Sequence, residues 1–146
     1  MWLSFRTNVD RRRYAPRCRC PVADLGLQLS PNLDQSRVLR AKIREWGSAE
    51  GYPGPYIDDV VLVASELFSN AVRATVGGAP IMAGVERRID GATVRMTNEG
   101  PGFDPDALSA PHPDDAGGRG IWLAKALGTL GVTQRKTKTI VTVIVG

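Results

Sequence analysis

Residues 57–71, IDDVVLVASELFSNA, form the most strongly patterned stretch of this chain. Apolar side chains recur in it at the spacing of one face of an α-helix, over about four turns. Valine is not a favoured helix residue, so burial against the rest of the protein must stabilise this helix. We predict that it ends near Thr75, before the turn-forming residues 77–80, GGAP. The periodic apolar positions are Ile57, Val60, Val61, Ala64, Leu67, Phe68 and Ala71.

On the N-terminal side of this helix, the sequence predicts one strand and one further helix. Residues 24–29 carry apolar side chains at every second position, which is typical of a strand with one buried face. Residues 30–32, SPN, suit a helix start, with either Ser30 or Asn32 as the N-cap. The apolar face of that helix consists of Leu39, Ile43 and Trp46. The helix is predicted to end at either Gly47 or Gly51.

On the C-terminal side, four strands, a long loop and a short helix are predicted. Asp90-Gly91 is a strong hairpin turn signal between the first two of these strands. The loop is rich in proline and glycine, and its length is typical of a functional loop. The predicted segments are strands 81–88, 92–97, 132–135 and 139–145, a loop over 101–120 and a helix from Ile121 to Leu130. Helices on one face of a mostly antiparallel sheet make an α+β, two-layer sandwich.

The charge of the chain is unevenly distributed. Six of the 19 basic residues and one of the 15 acidic residues lie within residues 1–21, which leaves 13 basic and 14 acidic residues in the remainder. We therefore predict a basic, disordered N-terminal extension over 1–21 and one folded domain over 22–146. The arginine-rich extension could contact nucleic acid or an acidic partner, but the slightly negative domain argues against nucleic-acid binding.

The cysteine content and the hydropathy of the chain limit which class of protein it can be and where in the cell it is expected. Cys18 and Cys20 are the only cysteines and His112 is the only histidine, so a zinc site is not expected. No apolar run is long enough to cross a bilayer, and residues 1–21 lack the apolar core of a secretory signal. The sequence therefore predicts a cytoplasmic protein without a membrane partner.

Three polar residues share one stripe of the helix over 57–71, at its border with the apolar face. Glu66 and Asn70 are four residues apart, and Arg73 extends the stripe by another turn. A glutamate in this position can act as a general base, and Asn70 offers a neutral oxygen to Mg²⁺. Taken alone, this spacing is also that of an ordinary polar flank.

Two glycine-rich segments follow downstream. Residues 98–103, NEGPGF, come directly after a predicted strand, and the glycines allow a backbone path that a base or sugar could pack against. Residues 117–121, GGRGI, precede a predicted helix, where free amides and the helix dipole favour a phosphate. Taken alone, each segment is more typical of a common turn or a flexible hinge than of a nucleotide site.

The order of the three segments, and the elements they lie on, resemble the GHKL (histidine-kinase-like) ATPase superfamily. Residues 66–71 are similar to its N-box, and residues 98–103 and 117–121 to its two glycine boxes. The sequences of residues 65–72, SELFSNAV, and of residues 100–105, GPGFDP, resemble those of the bacterial anti-sigma-factor serine/threonine-protein kinases. The resemblance covers roughly residues 24–145 and implies a Bergerat-type ATP-binding fold.

The resemblance implies a role for each matching residue. Glu66 would be the catalytic base and Asn70 the ligand of Mg²⁺. Asn98 would read the base of ATP, at a position where the family has aspartate, and Thr139 would face the adenine. Lys138 precedes Thr139 where the family often has glycine. The implied nucleotide-binding residues are Asn70, Arg73, Asn98, Gly100, Gly102, Phe103, Gly117, Gly118, Arg119, Gly120, Ile121 and Thr139.

The implied function is a regulatory serine kinase that uses ATP and Mg²⁺. Such a kinase sequesters a sigma factor and phosphorylates an anti-anti-sigma partner of the STAS type. A homodimer is also implied, with Trp46 and the first helix as the candidate surface. The alternative is a non-catalytic binding module of the same fold with weakened or lost ATP binding, which Asn98 and Lys138 favour.

Replacing Asn98 with aspartate is expected to tighten ATP binding. A charge-assisted hydrogen bond to the adenine amino group is worth ~1 kcal/mol more than a neutral one, which corresponds to roughly fivefold to tenfold in affinity. The amide nitrogen of Asn98 can instead donate to a guanine carbonyl, which would relax the choice of base. Calorimetric titration of ATP into the wild type and Asn98→Asp measures the gain, and equal affinities would remove Asn98 as the base reader.

Overall fold

The computed structural model describes residues 24–102 and 119–146. Strand β1 (Leu25–Leu29) leads through a short 3-10 turn (Leu33–Gln35) into helix α1 (Ser36–Glu50) and then helix α2 (Gly54–Ala74). Strands β2 (Ile81–Arg88) and β3 (Gly91–Glu99) follow as a hairpin. Helix α3 (Arg119–Leu127) then runs directly into strand β4 (Gly128–Arg135), which pairs with strand β5 (Lys138–Val145).

The strands form one five-stranded sheet in the order β1-β2-β3-β5-β4, and every neighbouring pair is antiparallel. Alternate residues of β2 and β5 are buried, which places one face of the sheet against the helices. The predicted α+β sandwich of an antiparallel sheet with helices on one side is therefore confirmed. The domain boundary at residue 22 and the N-terminal extension, with Cys18 and Cys20, lie outside the described residues.

Helix α2 supplies the centre of the hydrophobic core. All seven of its periodic apolar positions are buried, and Phe68 is fully enclosed. The helix ends where the sequence predicts, with Thr75 as C-cap; its hydroxyl donates to the carbonyl of Ala71 at 2.6 Å. At the other end, Tyr56 donates a hydrogen bond to the carbonyl of Val145 at 2.6 Å, which ties the helix start to the end of the sheet.

The first helix also follows the sequence closely. Asn32, rather than Ser30, caps the 3-10 turn, since its side-chain oxygen accepts from the backbone amide of Asp34 at 2.9 Å. Gly51 ends α1 in a left-handed conformation, and Gly47 lies within the helix. Trp46 packs against Tyr52 with 5.3 Å between ring centroids and is 8% exposed. The suggestion that Trp46 offers a surface for dimer formation is therefore wrong.

Several boundaries in the C-terminal half differ from the prediction: β3 extends to Glu99, α3 begins at Arg119, β4 begins at Gly128 and β5 begins at Lys138. Leu130 is in strand β4, paired with Val143, and not in the preceding helix, which ends at Leu127. The hairpin turn after β2 is formed by Ile89 and Asp90, so Gly91 already belongs to β3 and pairs with Arg88. Of the predicted loop over 101–120, residues 103–118, with His112, lie outside the described part. Arg119 and Gly120 belong to α3.

None of the helices described within 24–102 and 119–146 is both long and apolar enough to cross a membrane.

Asp24, at the start of β1, is expected to make the stability of the fold depend on pH. One of its carboxylate oxygens is buried without a hydrogen-bond partner among the described residues. Burial, and then the nearby Glu86 carboxylate, raise the pKa of Asp24 from its usual 3.8 to about 7. The folded protein thus holds a proton that the unfolded chain releases, so stability falls as pH rises from about 4 to about 7.

Asp24→Asn should remove that dependence. Because Asp24 is partly exposed, we expect a gain of on the order of 1 kcal/mol in the free energy of unfolding at pH 8, and little gain at pH 4. Urea denaturation of both proteins at the two pH values measures it. An equal difference at pH 4 and pH 8 would contradict the assignment.

Candidate functional site

A cavity of about 270 Å³ lies between the C-terminal half of α2 and the adjoining ends of β3 and β5. Its apolar walls come from both layers, and its polar side chains lie at its two ends. Four of the implied nucleotide-binding residues meet here, namely Asn70, Arg73, Asn98 and Thr139. The lining residues are Leu67, Asn70, Ala71, Arg73, Ala74, Met96, Asn98, Pro101, Thr139 and Val141.

The inner end of the cavity is a pair of polar residues on neighbouring strands. The inward-facing row of β3 runs through Val94 and Met96 to Asn98, and Asn98 lies directly opposite Thr139 of β5 in the register. The preceding pair, Met96 and Val141, is apolar. Asn98 is 5% exposed and Thr139 is 2% exposed, so two polar side chains are buried where the apolar row ends.

Gly100 allows three elements to meet beside this pair. Its φ is +155°, and a Cβ at this position would lie 2.6 Å from the backbone carbonyl of Ala74 at the end of α2. The amide of Gly100 donates to the carbonyl of Thr137 at 2.8 Å, which joins the end of β3 to the β4–β5 turn. A side chain here would push α2 away from the sheet edge. This glycine, predicted as a nucleotide-binding residue, therefore fixes the spacing of the cavity walls.

The outer end of the cavity carries the polar stripe of α2. The guanidinium of Arg73 donates a hydrogen bond from Nη2 to Oδ1 of Asn70 at 2.7 Å. Asn70 is half-buried and Arg73 is exposed, so a cationic group lies at the mouth. Glu66 is half-buried one turn earlier on the same stripe and is not among the described residues that line the cavity.

Gln134 also belongs to this site, although it lies in none of the three segments that predicted a nucleotide site. It lies opposite Thr139 in the β4–β5 hairpin. Its Nε2 donates to the carbonyls of Gly100 and Lys136, both at 3.2 Å, and its Oε1 accepts from the Thr139 hydroxyl at 2.9 Å. The feature of the sequence that could have identified Gln134 is the length of the turn between β4 and β5. A turn of two residues at 136–137 pairs 134 with 139. The predicted strands 132–135 and 139–145 leave three residues, 136–138, for the turn, which shifts that pairing.

The structure describes each of the two glycine segments, 98–103 and 117–121, only in part. Phe103, Gly117 and Gly118 lie outside the described residues. The backbone of Arg119, Gly120 and Ile121 forms the first turn of α3, and the placement of the Arg119 and Ile121 side chains is not described. Gly102 is exposed, and a Cβ there would lie 2.5 Å from Oε1 of Gln134.

The donor set of the cavity limits how it could hold a metal ion. No group of three or more histidine, cysteine, aspartate or glutamate side chains suited to a metal is found among the residues of 24–102 and 119–146. Asn70 brings one neutral oxygen, which currently accepts from Arg73. One protein oxygen fits Mg²⁺ when phosphates and water complete its octahedral shell. The residues present therefore fit a metal that arrives with a phosphate ligand.

Comparison with known proteins identifies one matching protein family and two similar solved structures. The sequence model of a protein family described as "Histidine kinase-like ATPase domain" matches residues 29–145. No curated protein matches the sequence. Among solved structures, the RsbU and RsbW domains of Rv1364c from Mycobacterium tuberculosis superpose with a TM-score of 0.63 at 22% identity. That match covers 82% of this chain and 31% of the other, so this chain spans less than a third of that protein.

A second solved structure is the SiaB-SiaC complex from Pseudomonas aeruginosa. The TM-score is 0.58 at 14% identity, and the match covers 83% of this chain and 88% of the other. At these identities the two likenesses establish the fold alone.

Proposed function

The chain belongs to the histidine kinase-like ATPase domain family, and from that premise we propose that it is a regulatory serine protein kinase. Its nucleotide is ATP, its metal is Mg²⁺, and its substrate is a serine hydroxyl on an anti-anti-sigma protein of the STAS type. It also sequesters a sigma factor, and it acts in the cytoplasm. One observation carries the proposal: polar residues of α2 and of two strands meet across one cavity, with Glu66 one turn away.

The two ends of the cavity match the two ends of a nucleotide. Met96 and Val141 form apolar walls beside the buried pair at the inner end, which suits a flat, uncharged base. Arg73 at the mouth suits the phosphates, because a guanidinium donates to phosphate oxygens. The nucleotide would therefore lie with its base inward and its phosphates at the α2 stripe, near the Glu66 side of the helix.

Glu66 is the base in the proposed transfer. Its carboxylate takes the proton from the serine hydroxyl while the serine oxygen bonds to the γ-phosphorus, and the bond to the β,γ-bridging oxygen breaks to release ADP. Asn70 would hold Mg²⁺ through Oδ1, which requires Arg73 to give up its bond to that oxygen. When bound, Mg²⁺ would neutralise negative charge on the phosphates.

A labelling reaction tests this function. The purified chain is incubated with ATP labelled at the γ-phosphate, Mg²⁺ and purified STAS-type proteins from the same organism, and the modified residue is then mapped. The kinase account predicts label on one serine, in a reaction that needs Mg²⁺. Absence of label on every candidate, with ATP shown to bind, would leave the kinase mechanism without support.

The second candidate is a regulatory binding module without catalysis. Two observations favour it: Asn98 occupies the base-reading position without a charge, and the oxygen of Asn70 already accepts from Arg73. Regulation would then act by contact with the sigma factor or the STAS partner alone. The labelling reaction separates the two candidates, since any transfer of phosphate to the partner excludes this one.

A further inference from the structure

The buried pair Asn98 and Thr139 has a hydrogen-bonding pattern that selects among bases, if the nucleotide lies as proposed above. Both side chains line the cavity, and both are almost completely buried. A buried polar atom left without a partner costs about 1–3 kcal/mol, so the pattern they present determines which base edge can enter.

The orientation of the Gln134 carboxamide is fixed by its neighbours. Its nitrogen faces two backbone carbonyls, those of Gly100 and Lys136. The reverse orientation would set its oxygen against two acceptors, so the nitrogen must lie on this side. The oxygen of Gln134 is therefore the atom that faces the Thr139 hydroxyl, at 2.9 Å.

That arrangement makes Thr139 an acceptor toward the cavity. Its hydroxyl has one proton, and two protein acceptors lie within reach of it: the Gly100 carbonyl at 2.8 Å and Oε1 of Gln134 at 2.9 Å. Whichever of the two takes the proton, the hydroxyl has only lone pairs left for a ligand.

Asn98 presents a donor beside that acceptor. A primary carboxamide has two N–H donors, and one of them points to the carbonyl of Glu99 at 3.3 Å. The second N–H is then available to a ligand, along with the carboxamide oxygen. An aspartate at this position would offer only acceptors and would repel a carbonyl oxygen.

A donor next to an acceptor complements the edge of guanine and of hypoxanthine. In these 6-oxopurines the carbonyl oxygen at C6 accepts and the neighbouring N1–H donates, whereas adenine donates from its C6 amino group and accepts at N1. We infer that the cavity binds 6-oxopurine nucleotides more tightly than ATP, the nucleotide of the proposed function, with Asn98 donating to the C6 oxygen and Thr139 accepting from N1–H. ATP would then still be bound at this site, but as the weaker of the two classes of ligand. Adenine would satisfy Asn98 through its carboxamide oxygen but would set N1 against the lone pairs of Thr139.

Calorimetric titration of GTP, ITP and ATP with Mg²⁺ into the full chain tests the inference. ITP has the C6 oxygen and N1–H of GTP but no amino group at C2, so it isolates the two proposed contacts. We expect GTP and ITP each to bind at least threefold more tightly than ATP, since one neutral hydrogen bond separates the two classes. Tighter binding of ATP than of both GTP and ITP would overturn the inference and leave the proposed nucleotide site intact.

Thr139→Val provides the matched variant, because it removes the hydroxyl while Gln134 still donates to the Gly100 carbonyl. GTP and ITP affinity should fall by roughly fivefold, and ATP affinity should change by less than about twofold. Thr142→Val, three residues later on the outer side of β5, is the control and should change none of the three affinities. A larger loss for ATP than for GTP in Thr139→Val would show that Thr139 donates to adenine, and would overturn the inference.

Asn98→Asp completes the test, because its carboxylate repels the C6 oxygen and accepts from the adenine amino group. The order of affinity should reverse, with ATP binding most tightly. If GTP stayed ahead of ATP in Asn98→Asp, the contact between Asn98 and the C6 oxygen would be excluded. If no nucleotide bound to any of these proteins, the proposed nucleotide function itself would fail, and this inference with it.

Discussion

Glu66→Gln is expected to lower phosphate transfer to the STAS-type partner by about 10²- to 10⁴-fold, the range that a positioned general base contributes. Glutamine keeps the size of the side chain but cannot accept the serine proton at neutral pH. Glu66 lies outside the described wall of the cavity. Nucleotide affinity should therefore stay within about twofold of the wild type. Initial rates of label transfer, together with calorimetry on the same samples, measure both quantities.

Glu45→Gln is the matched control for this change. Glu45 is on α1, and its side chain is 76% exposed. The same substitution there should leave both transfer and binding unchanged. Transfer at the wild-type rate by Glu66→Gln would remove Glu66 from the reaction. A parallel loss of nucleotide affinity would assign it to binding instead.

Gly100→Ala is expected to destabilise the domain by about 2–4 kcal/mol and to abolish measurable nucleotide binding. Two costs add at this position: a φ of +155° that side chains rarely adopt, and a Cβ placed 2.6 Å from the carbonyl of Ala74. Relieving that contact moves the end of α2 away from Asn98 and Thr139, which separates the cavity walls. Thermal unfolding and calorimetric titration measure the two effects.

Gly131→Ala is the matched control, which separates the effect of position 100 from the general effect of replacing a glycine with alanine. Gly131 lies in strand β4, and a Cβ there would meet nothing within 4 Å. Its free energy of unfolding should change by less than about 0.5 kcal/mol, and binding should be unaffected. If Gly100→Ala were as stable as Gly131→Ala and bound nucleotide normally, the close approach of β3 to α2 would not be needed for the site.

Much of the fold was predictable because the apolar pattern and the burial agree. The stripe on α2 has the helical period, and its members are the residues that the core encloses. Leu130 was assigned wrongly because it fits two periods: it lies three residues after Leu127, as in a helix, and two before Val132, as in a strand. Only its pairing with β5 decides between them, and that pairing is a tertiary contact.

The site was predictable to a smaller extent. The helical spacing of Asn70 and Arg73 implies their contact, and both line the cavity with Asn98 and Thr139. Gln134 was missed because its role depends on the register of a hairpin, which shifts with one residue of turn length. The orientation of Thr139 is set by Gln134 and Gly100, which are distant in sequence, so no local pattern could reveal it.

The most direct test of the nucleotide site is a titration followed by two-dimensional ¹H–¹⁵N NMR on the full chain, with ATP and GTP in separate experiments. The side-chain amide signals of Asn70 and Asn98 report the two ends of the cavity, each assigned by loss of its signal on substitution. The indole signal of Trp46, buried on α1, reports the core away from the site. We predict that both asparagine signals and the Gly100 amide shift and saturate together while Trp46 stays unchanged. Saturable binding that leaves Asn70 and Asn98 unmoved, or the absence of any shift with either nucleotide, would contradict the proposed site.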